Sequence, residues 1–151
     1  MINGVYLKPL RIHPDDRGWL VETLRADDPF FGGFGQSVVT LTYPGVIKAF
    51  HYHQEQDDYW VVLRGMAQVV LYDLREGSLT QGETNVFYLG EQNMQLLIVP
   101  RGVAHGYRVL GTEPVLLLYH VTRPYHPDHP DEFRIPFDDP RIGFDWTTKN
   151  R

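Results

Sequence analysis

The sequence contains no cysteine. Disulfides, thiolate metal sites and a cysteine nucleophile are thereby excluded, which agrees with a reducing compartment. Long apolar runs are missing too: LLIV and VLLLY are strand-length, far short of the roughly 20 residues that cross a bilayer. The N-terminus, MINGVYLKPLRIHPDDRG, lacks the basic start and apolar stretch of a signal peptide. A cytoplasmic protein without membrane association is expected. Positive charge is in deficit, with 14 Lys and Arg against 19 Asp and Glu for a net charge of −5. That balance argues against a nucleic-acid partner, although a few local Arg or Lys side chains could still hold a diphosphate.

Clean 3.6-residue periodicity is also absent. Short runs rich in β-branched and aromatic residues fill the chain instead: SVVTLTY, WVVLRG, MAQVVLYDLR, NVFYL, QLLIVP and PVLLLYHVT. Gly, Pro, Asp and Asn separate them at turn-like positions, as in YPG, REGS, GEQN and GTEP. Gly65 divides WVVLRGMAQVVLYDL, which reads as a hairpin. This spacing of strands predicts an all-β fold, a sandwich or barrel, with a jelly-roll barrel preferred. The 151 residues suit a single domain without internal repeats. From Arg123 onward the chain is rich in Pro and Asp but keeps Phe133, Ile135, Phe137, Ile142, Phe144 and Trp146. Such a segment is too apolar to be a disordered tail and is expected to wrap the barrel.

The densest chemistry lies in GVIKAFHYHQEQDDYW, which starts at Gly45. Residues i and i+2 of a strand face the same side, so His51 and His53 project together. The spacing of Gly45, His51, His53, Asp58 and Gly65, with Pro100, Gly102 and His105 later, resembles the paired motifs of the cupin barrels. That resemblance implies a possible metal site of His51, His53, Asp58 and His105, three imidazoles and a carboxylate suited to Fe, Ni, Cu or Zn. The plain alternative is a pair of inward histidines hydrogen-bonded to carboxylates or carbonyls.

A second resemblance runs along nearly the whole chain. DDRGWLVET, GVIKAFHYH, YDLREGSLT, IVPRGVAHGY, LLYHVTRPYHP and DDPRIGFDW occur in the order found in the dTDP-4-dehydrorhamnose 3,5-epimerase family, a metal-independent branch of the cupins. The resemblance implies a cupin-type jelly roll, a nucleotide-linked 4-keto-6-deoxy sugar as substrate, no cofactor or metal, and a homodimer. Epimerisation next to a ketone needs a base, an acid on the opposite face of the ring, and stabilisation of the enolate. By resemblance His51 is the base, Asp139 its carboxylate partner and Tyr119 the acid. His105 would then donate to the keto oxygen, and Arg17, Glu22, Lys48 and His53 would contact substrate. Alternation along a strand puts Lys48 and His51 on opposite faces unless a bulge intervenes, and it turns His120 away if Tyr119 points inward. The chain departs from the family where Asp58 stands in place of a lysine, His53 in place of a glutamine and Lys48 in place of an arginine. A metal-binding cupin enzyme and a non-catalytic sugar-binding cupin remain as the alternative readings.

Overall fold

Alternating apolar residues between glycine and proline turns build twelve β-strands and, among the described residues, no helix. The computed structural model describes residues 1–150. The strands are β1 (Tyr6–Pro9), β2 (Ile12–Asp15), β3 (Gly18–Val21), β4 (Gln36–Thr42), β5 (Ile47–Tyr52), β6 (Asp58–Arg64), β7 (Met66–Asp73), β8 (Thr84–Gly90), β9 (Gln95–Val99), β10 (Val103–Leu110), β11 (Val115–Val121) and β12 (Phe133–Arg134). One five-stranded antiparallel sheet runs β1-β9-β6-β11-β4 and a second runs β12-β5-β10-β7-β8. β2 and β3 form a separate hairpin with mostly exposed residues. The result is a cupin-type jelly-roll barrel.

The inner faces of both sheets meet in one apolar layer that includes Trp60, Val62, Val69, Leu71, Leu97, Val103, Tyr107 and Leu117. Side chains alternate across each strand, so the outer faces need their own cover. Tyr59, Val61, Leu96 and Ile98 are covered by Leu10, Val21, Leu24 and Phe30 from the N-terminal segment. On the other sheet Phe50, Val70 and Ala104 are covered by Ile135, Ile142, Phe144 and Trp146. The C-terminal segment therefore wraps the barrel. Trp146 closes this layer against Phe50 and Phe144, with ring centroids 5.5 and 4.8 Å apart, and its Nε1 donates to the Phe137 carbonyl at 3.0 Å.

The hairpin expected around Gly65 is not formed. β6 pairs with β9 and β11, whereas β7 pairs with β8 and β10. Gly65, with φ of 72°, turns the chain from one sheet into the other. A Cβ there would also lie 2.4 Å from the Pro114 carbonyl oxygen. The glycine signals a turn correctly, but a turn signal carries no information about which sheet the next strand joins.

β5 and β10 bring the histidines together. His51 stands opposite His105 in the ladder, but the next paired residues are Lys48 and Tyr107. Three steps along β5 thus match two along β10, a bulge that turns Lys48 to the same side as His51.

Candidate active site

A cleft opens between the two sheets in two lobes. One lobe, ≈ 440 Å³, is lined by Lys48, His51, Trp60, Tyr107, Tyr119 and Arg134 among others. The second, ≈ 230 Å³, is lined by His51, His53, Asp58, Tyr119, Arg123 and His129 among others. His51, Tyr119 and Glu132 border both lobes and mark their junction. His51 comes from β5 and Tyr119 from β11, so they reach the cleft from opposite sheets. Trp60 lies between them, its ring 6.1 Å from that of His51 and 6.2 Å from that of Tyr119.

The three imidazoles form one cluster. The His51 ring lies 4.3 Å from that of His105 and 5.5 Å from that of His53. His53 falls one residue past the end of β5, yet the residue is only 8% exposed and its Nδ1 is bonded to the Asp131 carbonyl. His105 is enclosed, and its Nδ1 donates to the Val103 carbonyl at 2.9 Å. Asp58, equally buried, sits beneath them and accepts from Gln56 Nε2 at 2.9 Å and Trp60 Nε1 at 3.1 Å. Its Oδ2 lies 3.6 Å from His53 Nε2 and 3.5 Å from His105 Nε2.

Electrostatics follow from that burial. Asp58 would be pushed up by desolvation, but the His105 and His53 imidazoles 3.5 and 3.6 Å away outweigh it and hold the carboxyl far below the usual range. Desolvation and the neighbouring His105 keep the His51 pKa well below its ordinary value, and Asp58 only partly opposes them. For His53 desolvation is the largest effect and lowers the pKa, yet Asp58 and Asp131 together reverse it and raise the group. Burial, then the Asp58 and Glu132 charges, raise the Tyr119 phenol, so it stays protonated at neutral pH.

Not every expected residue arrives here. Asp139, expected to partner His51, instead accepts from the Arg141 backbone N–H at 2.9 Å and side chain at 2.8 Å, closing a local turn. An aspartate two residues before an arginine, next to a proline, satisfies itself locally. The carboxylate beside the histidines is Asp58. Arg17 is exposed and paired with Asp15 at the tip of the β2–β3 hairpin, while Glu22 is paired with Arg25 at 2.9 Å; neither borders the cleft. Lys48 does border it, with Nζ donating to Thr40 Oγ1 at 2.9 Å. His120 faces outward and bonds Ser37 Oγ through Nδ1 at 2.6 Å.

Arg134, Glu132 and Asp131 were not anticipated. They lie in the Pro- and Asp-rich segment, where β12 adds to the edge of β5 and sets Arg134 opposite His51. The Asp131 carboxylate also accepts the backbone N–H groups of Gln54, Glu55 and Gln56 at 2.7, 2.9 and 3.1 Å. One residue thus holds both His53 and the loop that leads into Asp58. The only sequence signal for it was the density of Asp in that segment.

An all-β jelly-roll barrel with a buried imidazole–carboxylate cluster facing a tyrosine across the cleft is the architecture of a cupin. The chain belongs to the dTDP-4-dehydrorhamnose 3,5-epimerase family, whose model matches residues 1–151. It is 57% identical over 151 residues, covering 100% of both chains, to the spore coat polysaccharide biosynthesis protein SpsL of Bacillus subtilis (strain 168). Among solved structures it resembles a dTDP sugar isomerase from Desulfovibrio desulfuricans G20, with a TM-score of 0.91 and 32% identity over 99% of this chain and 94% of that one. It also resembles a dTDP-6-deoxy-D-glucose-3,5-epimerase from Legionella pneumophila Philadelphia 1 in complex with dTDP-4-keto-L-rhamnose, with a TM-score of 0.86 and 29% identity over 100% and 82% of the two chains.

Proposed function

We propose that the chain is an epimerase of a nucleotide-linked 4-keto-6-deoxy sugar. His51 removes a proton from a carbon beside the ketone, and the electron pair moves onto the keto oxygen as an enolate. Tyr119 then returns a proton to the opposite face of that carbon. The observation that carries this reading is that His51 and Tyr119 border the same cleft from opposite sheets. Inversion requires acid and base on opposite faces of the sugar, and two groups on one wall would return the proton where it came from. His105 serves the enolate oxygen when its Nε2 carries a proton, with Asp58 3.5 Å away as counter-charge. Lys48 and Arg134, on the wall of the larger lobe, are the cations for the diphosphate. No metal or organic cofactor enters these steps.

We infer a cytoplasmic homodimer as the working form. β4 ends its sheet, and Val39 and Leu41 on that strand are exposed, as is Tyr43 just beyond it. An unpaired apolar edge is suited to pairing with a second copy. Arg17 and Glu22 then contact substrate from the projecting hairpin of one protomer, in the cleft of its partner.

The test is proton exchange in D2O with dTDP-4-keto-6-deoxyglucose. Deuterium should enter the carbons flanking the ketone, and His51→Ala should abolish both exchange and product. Tyr119→Phe should abolish the inverted product. Wild-type exchange rates in His51→Ala, in a variant with unchanged circular dichroism, would overturn the assignment.

A further inference from the structure

Trp60 takes no part in the proton transfers, yet it packs beside His51, Tyr119 and His105, the three groups that serve them. In the β6–β11 ladder it stands directly opposite Tyr119, and such cross-strand neighbours hold their Cβ atoms ~4.5–5.5 Å apart on one face of a sheet. His51 and His105 face each other in the same way on the other sheet. The indole spans the space between these two pairs. Its ring lies 5.0 Å from that of His105, nearly perpendicular at 86°, and 6.1 Å from that of His51. Tyr119 is 6.2 Å away, and Tyr107 flanks the indole at 5.7 Å and 89°.

Filling the barrel interior would need only an apolar side chain of that volume, whereas this ring is held in one orientation. Trp60 is 2% exposed and borders the larger lobe from within. Its Nε1 donates to Asp58 Oδ2 at 3.1 Å, and Asp58 lies two residues earlier on the same face of β6. That bond fixes the rotation of the indole, which packing alone leaves looser. Backbone ladders place Tyr119 within one sheet and His51 within the other. Where the two side chains stand relative to each other, across sheets that pack ~10 Å apart, is left to whatever lies between them.

We propose that Trp60 is a positioning residue that sets the separation of the base His51 from the acid Tyr119, and with it the share of proton removals that end in inversion. The inference rests on the epimerase reading and deepens it. Once His51 has taken the proton, two returns compete. Tyr119 delivers a proton to the opposite face and inverts the carbon, or the protonated His51 hands one back to the face it came from. The balance depends on distance, since a misplacement of about 1 Å can cost ~10²-fold in rate. A smaller ring at position 60, or one without its N–H, lets the facing side chains drift and slows the return from Tyr119 more than the removal by His51.

The experiment follows full-length protein in D2O with dTDP-4-keto-6-deoxyglucose, using NMR to count deuterium in uninverted substrate separately from inverted product. Trp60→Leu should raise the ratio of uninverted, labelled sugar to inverted product roughly 10-fold or more. Trp60→Phe keeps a ring but loses the bond to Asp58; it should raise the ratio by a smaller factor, and it carries the test if Trp60→Leu does not fold. Val62→Ala loosens the same core layer two residues along β6 and should lower stability while leaving the ratio at the wild-type value. Exchange and inversion falling in equal proportion in the Trp60 variants, or a ratio raised as much by Val62→Ala, would overturn the role of Trp60 and leave the epimerase reading standing. No exchange and no product from the wild type would overturn both.

Discussion

Gly106 and Ala49 touch across the β5–β10 ladder with no room for a side chain. A Cβ on Gly106 would lie 2.3 Å from the Ala49 Cβ and 2.7 Å from the Lys48 carbonyl oxygen. This contact sits inside the bulge that turns Lys48 toward His51. Gly106→Ala must push the bulge outward, at a cost of ~1–3 kcal/mol, the usual range for overpacking. Urea denaturation will read that loss. Exchange activity should fall by more than the loss of folded protein explains, because Lys48 and His51 move apart.

Lys48 itself should act on binding. It is exposed at the wall of the larger lobe, where its Nζ donates to Thr40 Oγ1 at 2.9 Å. A charge-assisted contact to a diphosphate is worth about 1.5–3 kcal/mol, so Lys48→Met should raise KM roughly 10–100-fold. An interaction made equally in ground and transition states leaves kcat alone. Steady-state kinetics on the nucleotide sugar separate the two constants. Lys48→Arg, which retains the charge, should lie between wild type and Lys48→Met.

What could be read from the chain was whatever depends on alternation. The inward turn of His51, His53 and Tyr119 and the outward turn of His120 follow from strand parity, and the strand runs match six of the observed strands closely. What depends on register could not be read. Alternation alone puts Lys48 on the wrong face, and only the ladder with β10 reveals the extra residue. β10 itself carries Gly106 and the polar pair His105 and Arg108, which hide a strand from a reading of apolar runs. Gly65 marks a turn but not a change of sheet. Asp139 matched a family block but finds its partner two residues away, a bond that outcompetes any distant one. Arg134 and Glu132 enter the cleft only because the tail returns to pair with β5.

Asp131 should behave as a positioning residue. Its carboxylate gathers three consecutive backbone N–H groups of the loop at residues 54–56, and Gln56 in turn holds Asp58. Asp131→Ala leaves these donors to water and should cost about 1–3 kcal/mol. It should also lower kcat, because the His53–Asp58 side of the cleft loosens, while KM for the nucleotide sugar moves little. Asp131→Asn keeps one accepting oxygen and should restore part of kcat. Equal kcat values for the alanine and asparagine variants would mean that the carboxylate only caps the loop.

Acid sensitivity should centre on Asp73. This carboxylate is fully buried, and it accepts from Arg75 Nε and Nη2 at 2.8 Å, Ser78 Oγ at 2.7 Å and Thr80 Oγ1 at 2.6 Å. Arg75 also donates to the Asn3 carbonyl, so the cluster ties the N-terminus to the β7–β8 connection. Desolvation alone would raise the carboxyl, but the hydrogen bonds from Arg75, Thr80 and Ser78 outweigh it and hold the group well below the ordinary carboxylate range. A carboxyl with a folded pKa below its unfolded one stabilises the fold fully above the unfolded value. That stability drains away as pH falls toward the folded value. Asp73→Asn removes the charge and leaves Arg75 without its buried partner, a change expected to cost about 3–5 kcal/mol at pH 7. Urea unfolding of both proteins between pH 6 and pH 3 provides the check. The gap between wild type and Asp73→Asn should hold steady in the upper part of that range and narrow below the ordinary carboxyl pKa. A gap that stays constant to the acid end would show that the cluster acts through its shape and not through the charge of Asp73.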